Sequence, residues 1–187
     1  MAISINGSTN VISGVAVGGL PDGIVDADML AANAVTAGKL ASGVGGKILQ
    51  IQSTTSETAT TTTSSSFTDV TGFSLAITPS AATSKVLIIA ASNLECDGSA
   101  SFAHATILRG STNLGHSVGG LTQSHQYYYP GQQDGEQPCT MVFLDSPNTT
   151  SATTYKVQIR NNGGNRAGWN GPQQTIKGSF MLIEVGA

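Results

Sequence analysis

The sequence predicts an all-β fold, in which a C-terminal antiparallel β-sandwich head of jelly-roll-like type follows an extended N-terminal stalk with short helical turns. Two observations support this fold class. From residue 47 onward, short apolar segments alternate with clusters of Gly, Ser, Thr, Asn and Pro, as strands and turns do in a sandwich. Before residue 47, the apolar patches are short and often interrupted by Gly or Pro, so no long helix or strand is expected there.

The chain of 187 residues is expected to divide into three parts. Residues 1–23 are expected to be an extended attachment segment that becomes structured by docking onto another protein. Residues 24–46 hold a repeat at an offset of ten residues, Val25–Ala31 and Val35–Ala41, and each copy has the pattern of one helical turn. Helices this short are unstable alone, so neighbouring copies of the chain are expected to stabilise this stalk. Residues 47–187 form the head.

Eight strands are expected in the head, each an apolar or alternating segment bounded by turn-forming residues. They are Lys47–Ser53, Phe67–Thr78, Ser84–Asn93, Ser101–Arg109, Asn113–Val118, Thr140–Asp145, Thr154–Arg160 and Thr175–Val185. The Ser/Thr-rich tract Ser53–Ser66 fits either a flexible segment or an edge strand, because threonine favours strands.

The expected strands are of two kinds. In Tyr155–Arg160 apolar and polar side chains alternate, which predicts one face toward a core and one toward water. By contrast, Val86–Ala91, Met141–Leu144 and Phe180–Ile183 are apolar on both faces. Both faces of these three strands should therefore be covered.

An identical subunit is the expected cover for the second apolar face, because no long helix is predicted in the head and large exposed apolar patches are rare on soluble monomers. An extended stalk favours three copies over two. The alternative is that these segments are central strands with some crowding at the sheet ends. The candidate residues of a trimer interface are Leu30, Leu40, Leu87, Ile89, Val142 and Leu182.

The composition makes several partner classes improbable. Charged residues are only 10% of the chain, against about 25% in an average soluble domain, and the net charge is −3. The few Lys and Arg residues are scattered, so no basic stripe for nucleic acid is expected. The N-terminus lacks a secretory pattern and no apolar run approaches about 20 residues, so we expect synthesis in a cytosol and no membrane insertion.

The cysteines and histidines give no sign of a cofactor or metal. Cys96 and Cys139 are far apart and have no CxxC companion, so they are expected to be free thiols in a reducing compartment. His104, His116 and His125 lack the spacing by which one strand or helix presents two metal ligands. A symmetry axis that gathers three copies of one histidine is the alternative that spacing leaves open.

One segment matches a catalytic motif. Gly115–Gly119 fits the G-x-S-x-G nucleophile elbow around Ser117, but that elbow needs a following helix, and its histidine must come after the acid. No histidine follows His125. Asp134 and Glu136 are the only nearby carboxylate pair in a loop, and such pairs are usually solvated charges. We therefore expect no enzymatic activity.

Two polar loops with aromatic residues are candidates for ligand recognition. Flat rings combined with amide and guanidinium groups suit stacking on a sugar and hydrogen bonding to its hydroxyls. The alternative for the single tryptophan is that it plugs the sandwich end or the subunit contact. The candidate binding residues are Tyr127, Tyr128 and Tyr129 in the first loop, and Asn165, Arg166 and Trp169 in the second.

The order of several segments resembles a family of short bacteriophage tail fibres, particularly those of phages of aquatic bacteria such as cyanobacteria. The repeat Asp26–Ala31 with Ala34–Ala41 resembles the short repeats near the N-termini of these fibres. Parts of the head resemble the fibre heads that follow such repeats, namely Gly46–Gln50, Ser66–Gly72, Ile77–Ser80, Ser84–Leu87 and Ser179–Val185. The loops between Asn93 and Pro138 match nothing in the family.

The resemblance implies a virion protein that is a homotrimer. Its N-terminus would attach to the baseplate or tail, and its head would contact a glycan or protein of the host envelope. The resemblance transfers no receptor-binding residue. The alternative function is a baseplate or capsid decoration protein that braces other virion proteins without binding a receptor.

Overall fold

In the computed structural model, the structure describes residues 4–6, 11–13, 30, 34–36, 39, 47–98, 101–126, 134–163, 165–171 and 176–186. The chain forms two compact units, residues 1–45 and 46–187. No helix within the described ranges is both long enough and apolar enough to cross a membrane.

The first unit contains a small pair of strands where no independent element was expected. Strand β1 (Ser4–Asn6) pairs antiparallel with β2 (Val11–Ser13). In the stalk region, the Lys39 N–H donates to the carbonyl oxygen of Thr36 at 2.8 Å, which closes a single turn. Leu30 and Val35 of the expected helical repeat are also described and are exposed, whereas the rest of the repeat, including Leu40, lies outside the described residues.

The head is built almost entirely of strands. In the described part of residues 46–187 they are β3 (Ile48–Ser56), β4 (Thr60–Thr62), β5 (Thr68–Ile77), β6 (Lys85–Asp97), β7 (Ser101–Arg109), β8 (Thr112–Asn113), β9 (Thr122–Gln126), β10 (Asp134–Asp145), β11 (Thr153–Asn162), β12 (Ala167–Trp169) and β13 (Gly178–Val185).

These strands form two antiparallel sheets, which confirms the all-β fold class. In sheet 1 the strand order is β3, β13, β6, β10. Beyond the end of β13, the later part of β6 pairs with β12, and β12 pairs with β4. In sheet 2 the order is β5, β11, β7, and both β8 and β9 pair with the far side of β7. The N-terminal residues of β3 lie near the start of β6, because Val185 pairs with both Ile48 and Lys85.

The core between the sheets is centred on three aromatic rings. The Trp169 ring meets Phe73 edge-on with centroids 5.6 Å apart, and the centroid of the Phe180 ring lies 6.2 Å from that of Phe73. All three side chains are completely buried. Aromatic rings of this size contribute a large part of the buried apolar area of a small sandwich.

The alternation expected in the strand around Tyr155 is confirmed. Tyr155, Val157 and Ile159 are completely buried, whereas Lys156 and Gln158 point outward. Period-two alternation places every second side chain of a half-exposed strand in the core.

Four differences separate the expected strands from those observed. Strand β10 begins at Asp134 and not at Thr140, so Asp134 and Glu136 lie on a strand and not in the expected loop. Part of the Ser/Thr-rich tract is strand, since β3 continues to Ser56 and β4 follows at Thr60. Strands β9 and β12 lie where only loops were expected. The prediction of a strand over Asn113–Val118 was wrong, because only Asn113 of this segment belongs to a strand and a turn follows it.

Glycine explains that last difference. Gly120 has a φ of 66°, and a Cβ added there would lie 2.3 Å from the carbonyl oxygen of Ala105. Only a residue without a side chain allows this close approach of the turn to β7. The chain therefore folds back at this point instead of continuing as a strand.

Two buried polar side chains hold turns of the head in place. Glu184 accepts hydrogen bonds from the Ser80 N–H at 2.7 Å, the Ser80 hydroxyl at 2.6 Å and the Gln50 amide at 2.6 Å. Burial would raise the pKa of Glu184, but the hydrogen bonds from Ser80 and Gln50 lower this pKa to about 2.

Asn170 has the same role at the other turn. Its amide donates to the carbonyl oxygens of Ser56 and Thr58, both at 3.0 Å, and its Oδ1 accepts from the Ser92 hydroxyl at 2.6 Å. Its φ is 67°, a left-handed conformation that asparagine tolerates better than most residues. These three bonds fix the segment between β3 and β4 against β6.

Candidate functional site

The outer surface of sheet 1 forms a continuous uncharged face, which we call the apolar face. The pairing register places its side chains in three rows that cross β3, β13, β6 and β10 in that order. The first row is Ile51, Ile183, Leu87 and Leu144, the second is Ser53, Met181, Ile89 and Val142, and the third is Thr55, Ser179, Ala91 and Thr140. None of these twelve side chains carries a charge.

The described part of the chain does not cover this face. Val142 is 61% exposed, Leu144 is 50% exposed and Ile51 is 53% exposed. Leu87 and Ile89, in the centre of the face, are half-buried between their neighbours. The sequence therefore predicted correctly that these strands have a second apolar face, and the described residues leave that face open.

The outer surface of sheet 2 is different in character. Lys156 and Gln158 point outward and both contact Asp69, with the Lys156 Nζ at 2.9 Å and the Gln158 amide at 2.5 Å from its carboxylate. This is the charged, hydrated surface expected of a sheet that faces water. The contrast within one sandwich shows that the apolar face of sheet 1 is a local property and not a result of the low overall charge.

The structure corrects one of the candidate interface residues. Leu182 is completely buried in the core, and the neighbouring residues Met181 and Ile183 point outward instead. In a strand that is apolar on both faces, the sequence does not tell which alternate set faces inward. Leu87, Ile89 and Val142 do lie on the apolar face, and Leu30 is 43% exposed in the other unit.

The pairing register brings the two candidate recognition loops to one end of the head. Asp97, the last residue of β6, pairs with Asp134 at the start of β10, and Ser101 pairs with Gln126 at the end of β9. The loop after Asn162 leads to β12 at this same end, because Phe102 pairs with Asn162. The strand ends that flank the connections 98–101, 126–134 and 162–167 therefore lie at one end of the head.

Two of the candidate binding residues in the second loop make contacts within the chain. Arg166 donates to the carboxylate of Glu95 at 2.5 Å and lies 3.7 Å from Asp97. The backbone N–H of Asn165 donates to the side chain of Asn161 at 3.1 Å. Part of this loop is therefore anchored to the end of the sandwich.

Trp169 is not a surface residue. It is completely buried in β12 against Phe73, which is the structural role that the sequence left open as an alternative. A ligand cannot reach this ring without unfolding the core. Tyr127, Tyr128 and Tyr129 lie outside the described residues.

Ser117 does not lie in a nucleophile elbow. It is exposed in the turn between β8 and β9, and no helix follows it. His116 accepts backbone N–H groups of Val118 at 3.2 Å and Gly119 at 3.1 Å through its Nδ1, so this imidazole nitrogen is engaged in the turn.

The remaining titratable groups of interest are enclosed in the head. Cys96 and Cys139 are both buried free thiols, as expected, and burial raises the pKa of Cys139 to about 11. His104 is buried on β7, where burial and then the charge of Arg160, its cross-strand neighbour, lower its pKa. Across the described ranges, no three His, Cys, Asp or Glu side chains are arranged to hold a metal ion.

Comparison with known proteins adds no assignment. No model of a protein family matches the sequence, and no curated protein matches it.

Proposed function

We propose that this chain is a short tail-fibre protein of a bacteriophage, which works as a homotrimer and attaches the particle to its host through the head. Identical copies associate through the apolar face, and the loops at the far end of the head contact the host envelope. The N-terminus attaches to the baseplate or tail. The observation that carries the proposal is the open apolar face on one sheet of an otherwise complete sandwich.

The strand order supports a jelly-roll head. Without the short strands β4, β8 and β12, the head has eight main strands, which are β3, β5, β6, β7, β9, β10, β11 and β13. Numbered one to eight in this order, they give the strand order 1, 8, 3, 6 in sheet 1 and 2, 7, 4, 5 in sheet 2. This is the arrangement of two interlocked Greek keys in a jelly roll, a double-sheet architecture found in viral capsid proteins. Fold alone does not fix function, so this point only makes the virion assignment consistent.

The apolar face of each copy is large enough to contribute to association. With strands about 4.8 Å apart and rows about 6.8 Å apart, the face measures about 20 Å by 20 Å, or about 400 Å² per copy. Two such faces packed together cover about 800 Å², and a ring of three divides the same area of about 400 Å² per copy among three contacts, so the preference for three copies rests on the extended stalk and not on area. The two apolar rows contribute about 7 kcal/mol per copy at about 25 cal/mol/Å², before the cost of association.

The direction of the head supports a role in attachment. The first strand of the head begins at Ile48, which lies at the Lys85 end of β6, and the strand ends that flank the recognition loops lie at the Asp97 end. β6 has 13 residues, and at about 3.3 Å per residue it separates the two ends by about 40 Å. The strand ends that flank the recognition loops are therefore far from Ile48, as a protein that bridges a particle and a cell requires.

Weak contacts are sufficient for this function. Several trimers on one particle convert modest affinities into firm attachment by avidity. In the first loop, the rings of Tyr127–Tyr129 are the candidate contacts with a glycan or protein of the host.

The alternative, a baseplate or capsid decoration protein, is favoured by one observation. Arg166 and Trp169, two of the six candidate binding residues, are engaged within the chain. This leaves the second loop with less free recognition chemistry than its sequence indicates. A decoration protein would use the same trimer without binding a receptor.

Adsorption to cells separates the two functions. Fluorescently labelled full-length protein is added to a panel of intact bacteria that includes cyanobacteria, and bound protein is measured against concentration. We expect saturable binding to at least one strain, and loss of that binding when Tyr127, Tyr128 and Tyr129 are replaced by alanine in a protein that remains oligomeric. Trimers that bind no strain would leave the decoration function as the better description.

A further inference from the structure

We propose that Arg160 and His104 form a binding site for a carboxylate on the outer side of sheet 2, beneath the turn between β8 and β9. Arg160 lies on β11, and His104 is its cross-strand neighbour on β7. The ligand is the anion of a carboxylic acid, either free or carried by a larger molecule. The site involves neither the apolar face nor the homotrimer, so it goes beyond the proposed function and does not depend on it.

The first reason is that a buried arginine lacks a countercharge. Arg160 is 9% exposed, whereas the side chains of the other two arginines, Arg109 and Arg166, are 30% exposed. Those two each contact a carboxylate, which belongs to Asp145 and Glu95 respectively. Among the residues that the structure describes, no carboxylate lies at salt-bridge distance from Arg160. Burial of an unpaired charge is costly, so the expected partner is an anion.

The second reason is which nitrogens of this guanidinium are unpartnered. Nη1 of Arg160 donates to the carbonyl oxygen of Ser65 at 2.9 Å, whereas Nε and Nη2 are buried and make no hydrogen bond. These two nitrogens form one edge of the guanidinium and point two N–H groups in the same direction. A carboxylate meets each of these groups with its own oxygen, whereas chloride offers one atom to both. The free edge therefore favours a carboxylate.

The third reason is the character of the neighbouring side chain. His104 is 5% exposed, and neither of its ring nitrogens makes a hydrogen bond of normal geometry. Burial and then the positive charge of Arg160 lower the pKa of His104, and the nearby backbone of Gly119 opposes them. The charge that acts on this imidazole is therefore positive. A carboxylate beside the pair would meet donors from two strands.

The cover over the pair is a short turn and one aromatic ring. The segment between Asn113 and Leu121 contains three glycines, and the Leu121 N–H holds it to β7 by donating to the carbonyl oxygen of Ala105 at 2.8 Å. The ring of Phe67 lies 5.5 Å from the guanidinium carbon of Arg160 and is only partly buried. In the proposed site this ring moves aside to admit a carboxylate of few atoms, while β7 and β11 stay paired.

Formate is the probe, because it is the smallest carboxylate. Urea unfolding of the full-length protein is followed by the fluorescence of the buried Trp169 at one protein concentration. A ligand of three heavy atoms binds no more tightly than about 0.5 mM, so sodium formate is raised to about 200 mM while sodium chloride keeps the ionic strength constant. Above the dissociation constant, each tenfold rise in formate should increase the folding equilibrium constant about tenfold.

Variants assign the response to this site. Arg160→Lys keeps the charge but loses the paired donors, and should weaken formate binding by about tenfold or more. Arg160→Met should abolish the response and, without formate, should unfold at no lower urea concentration than the unaltered protein, because an uncompensated buried charge is removed. His104→Phe should weaken formate by about 2–10-fold, and an unchanged affinity would exclude this residue from the site.

Lys156→Met is the matched control. Lys156 lies on the same strand and points outward as well, but it is paired with Asp69. Its replacement should therefore leave the formate response unchanged. A lost response in this variant would place the effect of formate on the general charge of sheet 2 and not on Arg160.

Glucuronate and glucose distinguish the source of the carboxylate. Stabilisation by glucuronate but not by glucose would place the site within reach of acidic sugars, whereas a response to formate alone would restrict it to small carboxylates; either result supports the site. Equal responses of the unaltered protein and Arg160→Met would show a general salt effect and overturn the proposal. No change in unfolding when formate replaces chloride would overturn it as well. Assembly and adsorption to cells are measured separately, so these results leave the proposed function untouched.

Discussion

Replacing the buried carboxylate of Glu184 with its neutral amide, Glu184→Gln, should destabilise the head with little change in shape. Glu184 lies on β13 and holds the segment between β5 and β6 through both hydrogen bonds from Ser80. Its second oxygen accepts the amide of Gln50, which also donates to the carbonyl oxygen of Thr78 at 2.6 Å. The substitution therefore removes one charge and turns one acceptor into a donor.

The expected loss of stability follows from these contacts. The new amide can still accept the two bonds from Ser80, but without the charge that strengthens them. Its NH₂ group would face the NH₂ group of Gln50, which cannot rotate without losing its bond to Thr78. Hydrogen bonds to charged groups contribute about 1.5–3 kcal/mol each, so we expect the free energy of unfolding to fall by about 2–4 kcal/mol.

Urea unfolding followed by the fluorescence of Trp169 measures this loss. The protein contains one tryptophan, and that ring is completely buried, so its signal reports the core. Protein concentration must be held constant, because assembly contributes to apparent stability. Glu57→Gln is the matched control: Glu57 is an exposed carboxylate paired with Lys177, and its loss should change stability by less than about 1 kcal/mol.

The same variant gives a signature in its pH dependence. The pKa of Glu184 is about 2 in the folded chain against an ordinary value of 4.5, so its ionised form stabilises the fold above about pH 4.5. This contribution is lost as the pH falls from 4.5 toward 2. The difference in unfolding free energy between the unaltered protein and Glu184→Gln should therefore shrink over that range. A loss below about 0.5 kcal/mol at pH 7, or a difference independent of pH, would refute the reasoning.

Three further predictions concern other buried polar groups. Asn170→Ala should lower the free energy of unfolding by about 2–4 kcal/mol in urea titrations, and Asn170→Gly by less, because glycine tolerates the positive φ; equal losses would contradict this. Cys139 should resist thiol reagents at pH 8 in the native protein and react after unfolding, since burial raises its pKa to about 11; rapid native labelling would show the site to be open. Burial holds the pKa of His104 below its ordinary value of 6.5, so the stability that this residue contributes above pH 6.5 falls as the pH is lowered. His104→Leu should therefore reduce the change in urea midpoint between about pH 7.5 and 5.5, and an unchanged pH dependence would contradict this.

Much of the head could be predicted from the sequence because strand periodicity is a local signal. The alternation in Tyr155–Arg160 and the two-sided apolar pattern in Val86–Ala91 depend only on neighbouring residues. Both describe the observed strands correctly except at Arg160, which was expected to face water and is buried. The apolar face could be expected for the same reason. In a strand that is apolar on both faces, the pattern does not show which side chains face the core. For this reason Leu182 was wrongly predicted to lie on the outer face.

The missed elements depend on contacts that are distant in the sequence. β12 contains Trp169 within a segment rich in glycine and asparagine, and it is a strand because it pairs with β6 and β4 and buries its ring against Phe73. Local propensity favours a loop there, and tertiary packing overrides it. The nearest sequence signal was the presence of a single tryptophan in an otherwise polar segment, since so large a ring is usually well buried.

Sedimentation equilibrium of the purified full-length protein over a wide concentration range tests most directly whether the apolar face is covered by sister chains. The account predicts a species of about 57 kDa, three copies of a 19.0 kDa chain, and its conversion to a folded monomer by Val142→Lys. A folded species of 19.0 kDa at every concentration would contradict it.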